Sequence, residues 1–240
     1  MTAAAAAVFL LAGCATLPNG KADPRDPFER VNRSIYRFNN AADHAVIRPA
    51  ARAWKAAVPH LVRVGLSNFV NNLAYPGTII NDVLQGKFTQ GRLDFTRLLV
   101  NTVEGFGFFD PATPAGLERH DEDFGQTLGK WGVPAGPYLM LPLLGPSSLR
   151  DAPMRLADTY TDVRHYITDP YVSWGLWGTD GLEKRAELLD LDATIDSTYD
   201  PYAFIRNAWI QRREYQVRDG DVAEDKPDAD ADPAAEPPAN

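Results

Sequence analysis

The 240-residue sequence lacks the constellations that most enzymes need. It has no G-x-S-x-G, no H-E-x-x-H, no C-x-x-C and no glycine loop followed by Lys-Ser/Thr. Acyl transfer, zinc hydrolysis, thiol redox chemistry and P-loop phosphate binding are each left without residues to carry them. His44, His60 and His165 stand alone, with no nucleophile near them in sequence. No excess of basic residues is present, so nucleic acid gains no counterion-release term. No run keeps a period of two and no fixed-length repeat recurs, so neither a sheet nor a solenoid is expected. A membrane-spanning helix is missing too. The apolar stretch WGVPAGPYLMLPLLGPSSL, residues 131–149, carries no formal charge and approaches the roughly 20 residues a span requires. Pro134, Pro137, Pro142 and Pro146 exclude that use, because each removes a backbone donor and costs a helix interior about 3 kcal/mol.

What is present begins with charge. The net charge is -8, and its location matters more than its size. Residues 219–240 hold eight acids and one base, Lys226, which leaves 24 acids against 23 bases in residues 1–218. The body is therefore close to neutral. The segment 219–240 is acidic, rich in Ala and Pro and free of aromatics, so it cannot offset its ordering entropy and is expected to be disordered.

The one cysteine closes an apolar run near the amino terminus, in Leu11-Ala12-Gly13-Cys14. That run is too short to span a bilayer and has the length of a signal-peptide apolar region. Leu-Ala-Gly-Cys resembles a bacterial lipobox, which implies cleavage after residue 13 and acylation of Cys14. The absence of Asp at position 15 resembles lipoproteins sorted to the outer membrane. A plain secretory signal is the alternative. Met1-Thr2 supplies no basic residue, which a start a few residues upstream would provide. Residues 14–25 then form a polar tether, and 26–218 a folded domain.

Within that domain the apolar spacing is helical. Asp26, Pro27 and Glu29 form a helix-start pattern, and Phe28, Val31, Ile35, Phe38, Ala42 and Ala45 share one face. Pro49 and Pro59 restart the chain. GTIINDVLQG reads as a short segment, and QGRLDFTRLLVNTVEG as the most buried helix. A long loop follows, then DFGQTLGKW, SLRDAPMRLADTY, a pattern over 171–191, and a last helix capped by Asp200 and opened by Pro201. His120-Asp121-Glu122-Asp123 offers metal-ligand types, but neighbours in sequence cannot all face one ion, so a solvated loop capping the next helix is the competing reading. No metal and no cofactor is expected. Trp174, Trp177, Tyr202, Trp209 and Tyr215, with Arg206, Arg212 and Arg213, suit a lipid headgroup boundary, or else a soluble helix with aromatic anchors.

DPFERVNRSIYRFN, IRP, GLSNFVNNL, NDVLQGK, DFTRLLVNT, GFGFFDPA, FGQTLGKWGV, GPYLMLP, LGPSSLRD and DPY together resemble the MlaA/VacJ family of outer-membrane lipoproteins, in order from about Asp23 to Tyr215. The resemblance implies an all-α fold, a ring of amphipathic helices lying in the membrane plane of the periplasmic leaflet around a central amphipathic channel. It implies phospholipids as cargo, trimeric porins as neighbours and a soluble MlaC-like carrier as recipient, with no catalytic residue. Residues 131–149 would be a hairpin beside the pore, with Gly132, Pro134, Gly136, Pro137, Tyr138, Leu139, Pro142 and Gly145 as channel or hairpin positions, either gating or rigid. Phe38 and Asn39 would border the lipid opening, and Arg206, Arg212 and Arg213 are headgroup-facing candidates. Two departures stand out: Tyr75 precedes Pro76 where many relatives carry an acid, and Pro134 replaces a glycine found in some. A structural porin-associated lipoprotein is the alternative function, and a lipid hydrolase a third.

Overall fold

The computed structural model describes residues 23–221, so the leader, Cys14 and most of the tether and tail lie outside the described residues. Helices dominate. α1 (Glu29–Ala42) continues through a π-helical stretch, Asp43–Ile47, into α2 (Arg48–Ala57). Pro49 falls in the first turn of α2, where a missing N–H costs least, so the chain re-aims through the wide turn without stopping. Asp26 does not cap α1 as its sequence context suggests. It is buried, and its carboxylate accepts from Asn32 Nδ2 at 2.8 Å and Arg206 Nη1 at 3.0 Å. A charge with tertiary partners is worth more inside than at a helix end.

α3 (His60–Leu84) passes through Pro76 and Gly77 unbroken, joining two segments that the sequence pattern separates. The interior proline is tolerated because α3 packs along α4 (Phe88–Val103), and Tyr75 donates to Asp94 of α4 at 2.7 Å. Tyr75 thus makes a buried polar contact between α3 and α4. α4 overturns the expectation that it is the most buried helix. Its buried positions are Gly91, Asp94, Arg97 and Asn101, while Leu93, Phe95, Leu99 and Val103 are exposed. The periodicity is helical as expected and its sense is reversed.

That reversal is general. Among the described residues nine hydrophobic side chains are buried against twenty-three polar or charged ones, and thirty-three large hydrophobics are exposed. Buried charges persist only when paired, and the buried arginines here are paired. Arg63 meets Glu183 at 2.8 Å, and Arg97, 4% exposed, reaches Asp110 at 2.6 Å, Thr113 and the Leu117 carbonyl. Arg164 is held by Asp162 and Asp180 and stacks on Trp177, 3.8 Å from the ring centroid.

The loop 104–123 folds back on α4 through Ala112 N–H to Asn101 Oδ1, and on α3 through stacked Phe69 and Phe108. Asp123 caps α5 (Phe124–Lys130) as expected, accepting from the Gln126 N–H at 2.8 Å. Two antiparallel strands follow, β1 (Tyr138–Leu141) and β2 (Gly145–Ser148), with Leu141 opposite Gly145. This is the sheet that period-two counting missed, because four-residue strands broken by prolines offer no alternation to count. α6 (Asp151–Thr161), α7 (Pro170–Glu187), α8 (Asp192–Asp196) and α9 (Pro201–Val217) complete the chain. Asp169 and Asp200 cap α7 and α9, each followed by proline at the first helical position. Tyr138, Met140, Tyr202 and Ile210 form a conventional hydrophobic cluster where the hairpin meets α9, with Ile35, Tyr36 and Trp209 around it. Asp219, assigned to the acidic tail from composition, is tied to Lys130 at 2.7 Å and to Lys87, so the ordered domain reaches at least this residue.

Candidate functional site

The uncharged stretch 131–149 folds into the β1–β2 hairpin, and side chains from two helices close its edges. A two-stranded ribbon leaves two open edges, and unpaired backbone groups are costly out of water. Asn32 and Asn39 of α1, seven residues apart and therefore on one face, cover the free edge of β1. Asn32 Nδ2 donates to the Tyr138 carbonyl at 3.0 Å, and the Met140 N–H donates to Asn32 Oδ1 at 2.9 Å. Asn39 repeats the pattern, donating to the Leu141 carbonyl at 2.9 Å and accepting from the Leu143 N–H at 2.8 Å. Across the ribbon, Arg155 of α6 donates to the Leu144 and Pro146 carbonyls at 3.1 and 2.9 Å. Burial pushes its guanidinium below the usual arginine range. The entry is fixed by the Tyr138 N–H to the Arg25 carbonyl, 2.8 Å.

Glycine is required where the ribbon bends. Gly132, Gly136 and Gly145 hold φ of 89°, 68° and 77°, a region other residues rarely adopt. Pro134 and Pro142 are exposed beside these bends, and Pro137 is half-buried where the strand begins. Each removes a donor that would otherwise need a partner. Tyr138 is buried and Leu139 half-buried, so successive side chains of β1 take opposite faces. The tip, Leu143 and Leu144, is exposed and apolar.

Two cavities adjoin the hairpin. One of about 210 Å³ lies between α1, the strands and the α7–α8 region, with Tyr36, Asn39, Met140, Gly145 and Ile205 in its walls. Arg48 and Arg185 also line it. Arg185 is bidentate to Asp43 at 2.7 and 2.9 Å and reaches Asp192 at 2.8 Å, while Arg48 Nε contacts Asp43 and Asp192 at 3.1 and 3.2 Å. The wall therefore joins apolar surface to neutralised charge. The second cavity, about 290 Å³, lies between the hairpin and α9 and meets Tyr138, Ser148, Trp209, Ile210 and Glu214.

The other site candidates divide. Phe38 is 55% exposed, so it is no core residue, and it projects beside Asn39, whose amide is committed to the hairpin. Arg206 and Arg213, suggested by the sequence as headgroup-facing, are instead buried. Arg206 sits among Asp23, Asp26 and Glu29, and Arg213 pairs with Asp123 at 2.6 Å and Asp151 at 2.9 Å. These carboxylates hold both arginines inside the domain. Arg212 between them is exposed. Tyr202 and Trp209 serve as core anchors, whereas Trp174 is 76% exposed. His120, Glu122 and Asp123 diverge, toward Asp94, Lys87 and Arg213 respectively, so the acidic loop is stitched to three elements, not solvated. The sequence reading missed Asn32, Asp43, Arg48, Arg155 and Arg185. Only the asparagine pair left a trace, in its seven-residue spacing.

A family profile described as MlaA lipoprotein matches residues 24–216. The chain is 40% identical over 237 residues to the intermembrane phospholipid transport system lipoprotein MlaA of Escherichia coli K12, covering 96% of this chain and 94% of that protein. It is 33% identical to the protein of the same description from Haemophilus influenzae, over 90% and 89% of the two chains. A solved structure from work on the structural basis for maintenance of bacterial outer membrane lipid asymmetry superposes with a TM-score of 0.73 at 40% identity, covering 80% of this chain and 98% of that one.

Proposed function

Because the chain belongs to the MlaA lipoprotein family, we propose that it removes misplaced phospholipids from the outer leaflet of the outer membrane and so maintains lipid asymmetry. The observation that carries this reading is the reversed burial of α3, α4 and the following loop. A surface bearing Phe88, Phe95, Leu99, Phe106 and Phe109 is poorly suited to water and well suited to acyl chains. No helix among the described residues is long and apolar enough to cross a membrane. In this reading the helices lie within one leaflet as a ring, with Cys14 acylated as the anchor and porin trimers beside the apolar rim.

Moving a phospholipid unaided exposes either its headgroup to hydrocarbon or its chains to water, the latter at about 0.8 kcal/mol per CH₂. A passage with charged groups on one wall and apolar groups on the other lowers both penalties. The cavity beside Asn39, Met140 and Arg185 has that character. No bond is broken, so no catalytic residue is required, and a soluble MlaC-like periplasmic carrier sets direction by removing lipid. Deletion of the gene is expected to raise outer-leaflet phospholipid and sensitise cells to detergent with EDTA. The wild-type gene should restore both, and a Cys14→Ser copy should not. A deletion that left both measures unchanged would overturn the function, and rescue by Cys14→Ser would overturn the anchor.

A further inference from the structure

We propose that the larger cavity, between the hairpin and α9, is a second ligand site, separate from the passage for phospholipid, and that it takes a single-chain amphiphile with a carboxylate head, a free long-chain fatty acid. At about 290 Å³ the cavity is of the size at which small-ligand pockets begin, which suits one acyl chain and not the two of a phospholipid. Its inner wall is apolar. Tyr138, Trp209, Ile210 and Val217 form it, with Trp209 edge-on to Tyr138 at a centroid distance of 5.7 Å. An aromatic and aliphatic wall with a few polar groups at one end is what an amphiphile requires.

The polar end is cationic. Arg25, Arg150, Arg213 and Arg218 reach the wall against one acid, Glu214, which is exposed. The carboxylates that pair with three of these arginines, Asp23, Asp123 and Asp151, are not part of the wall, so the groups presented to a ligand are mostly donors. Arg213 is fully engaged, with Nε, Nη1 and Nη2 all bonded to Asp151 and Asp123. Arg150 is not. Its side chain is 5% exposed, Nε donates to Asp151 at 2.7 Å and Nη1 to the Val133 carbonyl at 3.2 Å. Its Nη2 makes no hydrogen bond among the described residues and, unlike Arg185 Nη1, retains accessible surface. A guanidinium nitrogen that is largely buried, open to a cavity and without an acceptor is a place for an anionic oxygen. Around the mouth, Arg218 is exposed at the end of α9, and Arg25 spends only Nε and Nη2 on Asp23. A carboxylate gains from these cations, a neutral alcohol gains little, and a phosphodiester brings a second chain that the cavity cannot hold.

The test uses full-length acylated protein in mild detergent, irradiated with palmitate that carries a diazirine in its chain, with the label located by peptide mass spectrometry. Label is expected on residues 207–218 and 131–140, which hold the cavity wall. Unlabelled palmitate should compete at roughly one-tenth the concentration of hexadecanol, the equivalent of about one charged hydrogen bond, and phosphatidylethanolamine should compete poorly. Ala135→Phe places a ring in the cavity from an exposed position, is expected to fold, and should remove the label. Arg218→Glu reverses an exposed charge at the mouth and should weaken labelling roughly fivefold. Arg150→Lys keeps a cation beside Asp151 but withdraws Nη2, and in folded protein it should bring palmitate and hexadecanol level. Hexadecanol that competes as well as palmitate in wild type overturns the carboxylate. Label that survives Ala135→Phe, or that falls on the outer face of α3 and α4 instead, overturns the cavity. Equal competition by phosphatidylethanolamine makes the cavity part of the phospholipid path and overturns the separate site. Each of these failures leaves the transport reading standing, since that reading is tested by the deletion phenotype.

Discussion

The α3–α4 pair and the hairpin–α9 region use the same helical periodicity with opposite signs. In α4 the stripe Gly91, Asp94, Arg97, Asn101 is inside and the phenylalanines and leucines are outside. Around the hairpin the inside is Tyr138, Met140, Tyr202 and Ile210, and Arg206 and Arg213 brace the edges of that cluster. The difference teaches that amphipathicity reports a boundary and not which side of it is water. Where the outer medium is hydrocarbon, the polar face must turn inward and find its partners there. Where protein meets protein, an ordinary apolar core forms.

The largest effect expected from this contrast is at Arg97. Truncation to alanine leaves Asp110 and the Leu117 carbonyl without their partner inside a polar interior. Arg97→Ala should cost about 3–5 kcal/mol of stability in denaturant titrations of the detergent-solubilised protein. Leu99→Ala, two residues on and on the outer face, should cost under about 1 kcal/mol in the same assay, because little protein covers it. If Leu99 proved the more costly of the two, the inward polar face would not be what holds α4.

At the hairpin the same question is asked of one amide. Asn32→Ala removes acceptors and donors from the Met140 N–H, the Tyr138 carbonyl and Asp26 together. The expected loss is about 2–3 kcal/mol, with the Met140 amide exchanging much faster in hydrogen-exchange measurements. Unchanged exchange at Met140 would mean that the strand pairing, not α1, holds the ribbon.

Much of the fold is legible in the sequence. Proline after aspartate marks the starts of α7 and α9, Asp123 marks α5, and the glycine-proline punctuation of 131–149 marks a bent element. The sense of the amphipathic faces is not legible, since Leu93, Phe95 and Leu99 read as core in any scheme that assumes water outside. The lining of the candidate site is equally hidden. Asp43 and Arg185 are 142 positions apart, and no local pattern announces that they meet. Arg206 and Arg213 mislead for the related reason that an arginine beside aromatics looks alike whether its carboxylate comes from a distant helix or from nowhere.

The sharpest prediction concerns Asp82, in the polar interior between α3 and α4. Its side chain is buried, neither carboxyl oxygen finds a donor, and burial together with the adjacent Asp94 carboxyl pushes its pKa up to about 8. Asp94 shifts the opposite way, held down by Gln90, Tyr75 and His120 despite its burial, so the pair shares one proton that rests on Asp82. The unfolded chain releases that proton near 3.8, and the folded chain keeps it until about pH 8. The folded state therefore binds more protons across this interval, and Asp82 subtracts stability progressively as pH rises through it. Asp82→Asn replaces the proton with a permanent amide donor to Asp94. It should leave stability unchanged below pH 4 and abolish the progressive loss that the wild type suffers as pH rises from 4 to 8. A variant that destabilised the protein at pH 8 and not below pH 4 would show that Asp82 is ionised in the native state, and that the interior between α3 and α4 holds a second negative charge beside Asp94.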